Sequence, residues 1–470
     1  MRRLLALTAL LGLGCNNDLS GKGFSPEPVA GADDGDDGGT DGTDGADGGG
    51  DGGDGGGDGG DGGGDEVDND NDGWTVEQGD CDDDDPDVNP GMEELCNGVD
   101  DNCDGFSDAD EDDDGDGIPD CEDNCPVQVD VRATATPDGT WDAPYPEIQQ
   151  GIDEAWAASC SDVEVADGTY YENIDYGGAD VYVSSHYGPD ATIIDGSSID
   201  SVVRFVSGES NASGIKGFTI QNGAASLGGG IRIEGADPVI GGNEIVDNGV
   251  VGDGGGGGIG MLDAFPLIVN NIIQDNNACY GGPEEGCDGG GLNVRGGGPT
   301  IVDNLILDNS AGDGGGMWMV RSDANIYWNV FDGNQADDTD PDTAGQGGGV
   351  DIQIGSEGTL FTNNIVTNNV ASTHGGGVAV FELSAAYGNA EVSHNVIAYN
   401  SVVETTYGGG LLAWGSTAPI FHNNLVAWND GGGIWLNATA DARYNLVYGN
   451  STDWLGSQGS LTGVAGNISM

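Results

Sequence analysis

From residue 217 onward the chain repeats itself, and the form of the repeat leaves few folds open. "GGGIRIEGADPVIGGNEIVDN" and "GGGLNVRGGGPTIVDNLILDN" share three glycines, two apolar residues at alternate positions and a proline with an apolar residue two places later. An asparagine follows five after the proline, then an apolar residue two beyond it and a second asparagine five beyond it. The first asparagine recurs at Asn243, Asn271, Asn304, Asn329, Asn363, Asn395, Asn424 and Asn445, and the second at Asn248, Asn276, Asn309, Asn334, Asn368, Asn400, Asn429 and Asn450. Successive copies lie 21 to 34 residues apart. That spacing is too long for a hexapeptide helix, and the alternation is too strand-like for a helical solenoid.

Alternation over three or four residues gives short half-buried strands, and the Asn and Gly positions give tight bends, so each copy forms one coil of several strands. Stacked coils pair strand on strand in parallel. Ile245, Ile273, Ile306, Phe331, Ile365, Ile397, Val426 and Val447 are expected to form one inward row, with the asparagines of neighbouring coils bonded through their side-chain amides. The pattern resembles the right-handed parallel β-helix, pectate-lyase-like family. Earlier segments are similar to that family's opening: "PDGTWDAPYPEIQQGIDEAWAASCSDVEVADGTYYENI", "GPDATIIDG" and "GFTIQNG", with a capping helix around Ile148 to Ala158. The expected fold class for residues 127–470 is all-β, a right-handed parallel β-helix solenoid. The twenty residues after Asn450 hold part of a further coil, so the sequence reads either as a solenoid truncated and uncapped at its carboxyl end or as one whose last residues fold over it as a short cap.

The front of the chain is a different object. Of 83 Asp and Glu in the protein, 38 lie between Gly31 and Pro126, a stretch with no Lys or Arg. A net charge of −73 repels nucleic acid and other polyanions. The opening "MRRLLALTALLGLGC" sets Arg2 and Arg3 before an apolar run and a small residue, the pattern of an export signal too short to span a bilayer. Its end resembles a bacterial lipobox, which implies lipidation at Cys15 and attachment to the outer membrane or cell surface; a plain secretory signal is the alternative. Residues 16–66 have almost nothing to bury and read as a disordered Gly/Asp tether. Eight cysteines remain in an oxidising compartment and are disulfide candidates: Cys81, Cys96, Cys103, Cys121, Cys125, Cys160, Cys279 and Cys287. Cys279 and Cys287 close the short loop "CYGGPEEGC" and are expected to pair; the other six leave fifteen connectivities open.

Residues 67–126 arrange their carboxylates as calcium loops do. Asp100, Asn102 and Asp104 alternate before Gly105, the Phe106 carbonyl and Asp108 follow, and Glu111 closes the loop as its twelfth residue. A second loop offers Asp112, Asp114, Asp116, the Ile118 carbonyl, Asp120 and Asp123. A third offers Asp68, Asp70, Asp72 and the Trp74 carbonyl, with Asp80 closing. "GDCDDDDPDVNPGMEELCNGVDDNCDG" resembles the MopE-type metal-binding motif, and "DDDGDGIPDCEDNCP" resembles a thrombospondin type 3 calcium repeat. No histidine occurs before His186, so ligands for a soft metal are scarce and calcium is the expected cofactor.

A lyase acting on uronates needs a cation for the carboxylate and a base for the α-proton. Arg295 and Arg321, after equivalent strands of adjacent coils, are weak catalytic candidates, with Asp351 and His374 one and two coils on. Trp318 and Trp435 stand between two inward residues and are expected to point outward as candidate glycan contacts, with Trp414 and Trp428 near the same end. The sequence thus favours an exported lipoprotein whose calcium-stabilised spacer presents a β-helix to glycan or a cell-surface partner. An extracellular polysaccharide lyase or hydrolase is the alternative.

Overall fold

The computed structural model describes residues 68–92 with breaks at 69, 71, 72, 83 and 87, then residues 99 and 103, and residues 125–469 with breaks at 280–286, 338–344, 354–357, 383–389, 404–406, 416–418, 437–439, 457–460 and 462–464. The chain divides into two units, Met1–Asp65 and Glu66–Met470. Cys15, the tether, Asp72, Cys96, Cys121 and the loop ligands from Asp100 to Asp123 lie outside the described residues.

Each coil adds one strand to each of three long parallel sheets. The strands after the glycine triplets form the post-glycine sheet of eleven strands, from Ile174–Asp175 to Trp454–Gly456. Those after the prolines form a post-proline sheet of twelve, from Val127–Val129 to Asp441–Arg443. Those between the two asparagines form an inter-asparagine sheet of twelve, from Gly168–Tyr170 to Ile468–Ser469. The inward positions of all three sheets meet in one continuous core. Like stacks on like: Ile231, Ile259, Leu292 and Met317 are register partners, as are Ile240, Ile268, Ile301 and Ile326.

The asparagine ladders are buried and saturated. Asn329 is 1% exposed. Its backbone N–H donates to Asn364 Oδ1 at 2.9 Å, its Nδ2 donates to the Ile301 carbonyl at 2.9 Å, and its own Oδ1 accepts from the Asn304 backbone N–H at 2.9 Å. Each amide thus satisfies backbone groups at a bend that no strand pairing could reach. One coil departs from the expected register. In "TNNIVTNN" the ladder members are Asn364 and Asn369, whereas Asn363 and Asn368 are exposed with φ +56°. Val366 therefore takes the inward place expected of Ile365, between Phe331 and Ile397. A doubled asparagine leaves the register open by one residue, and a one-residue slip exchanges inward for outward.

The glycine triplets are dictated by crowding. In Gly347–Gly349, the first residue has φ +61°, and a Cβ there would sit 2.6 Å from the Asp351 Cβ. A Cβ on Gly348 would lie 2.5 Å from the Gly376 carbonyl oxygen, and one on Gly349 would lie 2.6 Å from that of Gly377. Backbone packs directly on backbone here, so no side chain fits.

An α-helix, Ile148–Ala158, closes the first coil as expected, burying Ile148, Ile152 and Ala155. Its first two N–H groups donate to the Glu172 carboxylate at 2.9 and 3.0 Å, which caps the end in place of a local residue. Cys125 is disulfide-bonded to Cys160 just past the helix, Cys81 to Cys103, and Cys279 to Cys287. At the other end Asn467 extends the first ladder by another member, accepting from the Asn445 N–H at 3.0 Å.

Candidate functional site

The outward side of the post-glycine sheet concentrates the chemistry. Three rows run along it. The residues before the triplets are joined by single parallel bridges: Gly255, Asp288 and Asp313 in succession, then Gln346 to His374. The middle positions of the strands stack as Asn293, Trp318, Asp351, Ala379, Leu412 and Trp435. The strand ends stack as Arg295, Val320, Gln353, Phe381 and Trp414.

The first half of this face is polar and closed. Asn293 Nδ2 donates to the Asp288 carbonyl at 2.9 Å, and Arg295 Nε donates to Asn293 Oδ1 at 3.0 Å. The Arg295 guanidinium stands 3.7 Å from Asp288 Oδ2 and 5.4 Å from the centre of the Trp318 ring. Asp351 is fully buried; its Oδ2 accepts from Gln353 Nε2 at 2.8 Å, while Oδ1 has no hydrogen-bond partner among the described residues. Burial pushes its carboxyl up to about 8, the Gln353 bond pulls it down, and the Asp288 charge adds to the rise. Burial thus favours the protonated form of Asp351, and the Asp288 charge that adds to this has Arg295 beside it.

The second half is aromatic and open. Trp414 and Trp435 lie parallel, with ring centres 5.0 Å apart and planes 10° apart. Tyr407 meets both edge-on, at 6.0 and 5.8 Å. His374 stacks on Tyr407 at 4.5 Å and meets Phe381 and Trp414 edge-on. Trp414 is 37% exposed, and the other four rings are half-buried.

Several expectations change here. Trp318 does face outward from the sheet but is only 8% exposed, closed over by its neighbours, so it offers no open ring face. Arg295 and Arg321 do not occupy equivalent places. Arg295 ends its strand in register with Val320, and Arg321 falls one residue later, exposed in a turn with φ +53°. Asp351 and His374 do join Arg295 on one face. The sequence reading passed over Phe381 and Tyr407. Tyr407 precedes "GGG" as Asp288, Asp313, Gln346 and His374 do, so alignment on the triplet would have found it.

The acidic segment supplies the second feature. Gly73, with φ +100°, donates its N–H to Asp68 Oδ2 at 3.0 Å, as a tight loop around a cation requires. A 3-10 turn, Val76–Gln78, brings the chain back so that Asp80 N–H reaches the Thr75 carbonyl. Asp80 is 3% exposed; its Oδ1 accepts from Asp82 N–H at 2.9 Å, and its Oδ2 has no hydrogen-bond partner among the described residues. Among those residues no group of three His, Cys, Asp or Glu converges on one point. Cys81 and Cys103 are consumed in a disulfide and cannot serve as thiolates. Among the described residues Asp68, Asp70 and Asp80 offer carboxylate oxygens, the donor type that a hard cation takes.

Residues 201–390 match the family described as right handed beta helix region, and residues 80–109 match a metal-binding motif of the copper-binding MopE type. No curated protein matches the chain. Among solved structures, the Azotobacter vinelandii mannuronan C-5 epimerase AlgE4 A-module aligns at 14% identity and TM-score 0.37, covering 73% of this chain and 97% of that one. The catalytic domain of a GH87 alpha-1,3-glucanase, solved in complex with tetrasaccharides, aligns at 12% identity and TM-score 0.36, covering 68% and 67%. With the stacked parallel sheets, the first family match makes the repeat region a right-handed parallel β-helix, preceded by an acidic segment that carries a metal-binding motif.

Proposed function

We propose that this is an exported protein, lipidated at Cys15 and displayed on the outer membrane or cell surface, whose β-helix binds glycan through the aromatic half of the post-glycine face. The parallel pair Trp414 and Trp435 carries the reading: two rings ordered by successive coils, flanked by Tyr407, His374 and Phe381. Such faces stack on the apolar side of a pyranose ring, and the amphipathic edges of Trp and Tyr bond its hydroxyls. Calcium is the cation assigned to the acidic spacer, held by Asp68, Asp70 and Asp80 and by the two loops from Asp100 to Asp123. When bound it would neutralise carboxylates that otherwise repel one another. A glycan array with calcium present tests the binding. Weaker retention of glycan by Trp414→Ala/Trp435→Ala than by the parent chain supports the reading; equal binding by both proteins contradicts it.

A second reading, a polysaccharide lyase or hydrolase, draws on Asp351. A neutral carboxylic acid near the Asp288 carboxylate and Arg295 has the protonation pattern of an acid and base pair. Release of reducing ends or unsaturated uronates from a polysaccharide that the face retains would favour this reading.

A further inference from the structure

The bend before the second asparagine of each coil, or before Gly223 at the equivalent place, forms a mostly exposed corner row. Its members are Asn222, Asp247, Asp275, Asp308, Gly333, Asn368, Tyr399, Trp428 and Gly449, and all have φ between +50° and +73°. Seven of the nine are Gly, Asn or Asp, the residues that tolerate this left-handed conformation. Tyr399 and Trp428 are not, and a bulky ring held there is strained. Neither is recruited to the core: Tyr399 is 52% exposed and Trp428 43%.

The two rings are organised. They lie within 15° of parallel with centres 5.3 Å apart, and Tyr448 meets Trp428 edge-on at 5.0 Å. Trp428 leans over the next coil, where a Cβ on Gly449 would come within 2.8 Å of the indole Cδ1 and Nε1. The next member of the row therefore has no side chain to obstruct it. Two exposed rings, stacked on one another and leaning over a glycine, thus mark this corner.

We infer that the Tyr399 and Trp428 corner is a second glycan site, distinct from the post-glycine face, for an uncharged glycan lying along the solenoid axis. Charge selects the ligand class. The same row carries Asp247, Asp275 and Asp308 in three consecutive coils, and the whole chain has a net charge of −73, so a polyuronate would be repelled along the row. Sugar faces stack on Tyr399 and Trp428; one coil earlier along the same path, the exposed Asn368 donates its Nδ2 to Asp332 Oδ1 at 2.6 Å. The inference extends the proposed glycan binding to a separate surface.

The test uses the full chain, a panel of uncharged oligosaccharides of differing linkage, and oligogalacturonate as the anionic probe. Tyr399→Asn/Trp428→Asn restores a residue suited to the bend, so its melting temperature should equal or exceed the parent's while affinity for an uncharged oligosaccharide falls at least about tenfold. Unchanged affinity overturns the corner site, as does a melting temperature that falls in step with affinity, which would make the rings structural. Parent binding to oligogalacturonate alone overturns the ligand class. Loss of binding in Trp414→Ala/Trp435→Ala but not in the corner variant would overturn the corner alone, and the converse would overturn the post-glycine face alone. No binding by the parent to any probe overturns both.

Discussion

Asn329 and Asn364, one coil apart, share a bond in which the Asn329 backbone N–H donates to the Asn364 side-chain oxygen at 2.9 Å. The Asn329 Nδ2 reaches the same oxygen at 3.1 Å. Repeated from coil to coil, this arrangement carries the bend of the solenoid.

Replacing Asn329 by Leu removes the acceptor for the Asn304 N–H and the donor to the Ile301 carbonyl, both buried. Each group left unpaired costs roughly 1–3 kcal/mol. Thermal or urea unfolding should show a loss of at least that size. An unchanged midpoint would mean that the ladder is not what holds the bend.

Asp351 makes stability depend on pH. Its folded carboxyl is raised from 3.8 to about 8, chiefly by burial, so between these values the folded chain keeps a proton that the unfolded chain has released. Stability should be full below pH 4, fall by a few kcal/mol as pH rises to about 8, and level off beyond. Asp351→Asn, which cannot ionise, should flatten that slope and melt higher than the parent at pH 9. A variant with the parent's slope would place the titration elsewhere.

Much of this fold was legible because its physics is periodic. The glycine triplets, the spaced asparagines and the alternating strands each repeat, and the helix at Ile148–Ala158 followed from the opening segment. Register failed at Asn363 and Asn368, where a doubled asparagine gives two solutions that differ by one residue. The site was less readable for a related reason. Alternation told which way Trp318 faces but not that its neighbours close over it, and loops of unequal length hid the alignment of Tyr407 with His374. Asp351 was expected near Arg295, but its raised carboxyl follows only from its burial.

Calcium should bind the acidic spacer of the full chain. Titration calorimetry should detect at least two sites, as the two complete loops imply. Asp104→Ala/Asp116→Ala should abolish most of the heat while leaving the β-helix melting unchanged, because the buried residues of the solenoid core run from Val127 onward. Heat equal to the parent's would contradict the loop assignment. Preference for copper over calcium would contradict the assignment of a hard cation.

The central claim is that an outward face of a β-helix, built by coil stacking, binds glycan. The most direct measurement is the affinity of the full chain, with calcium, for the best ligand of a glycan array, compared with that of Trp414→Ala and Trp435→Ala. The stacked pair predicts a loss of about tenfold or more for either single variant, since each removes a ring face that a sugar would cover, with melting temperature little changed for the exposed Trp414. Affinity at the parent's level in both variants, or a chain that retains no glycan at all, would contradict the account.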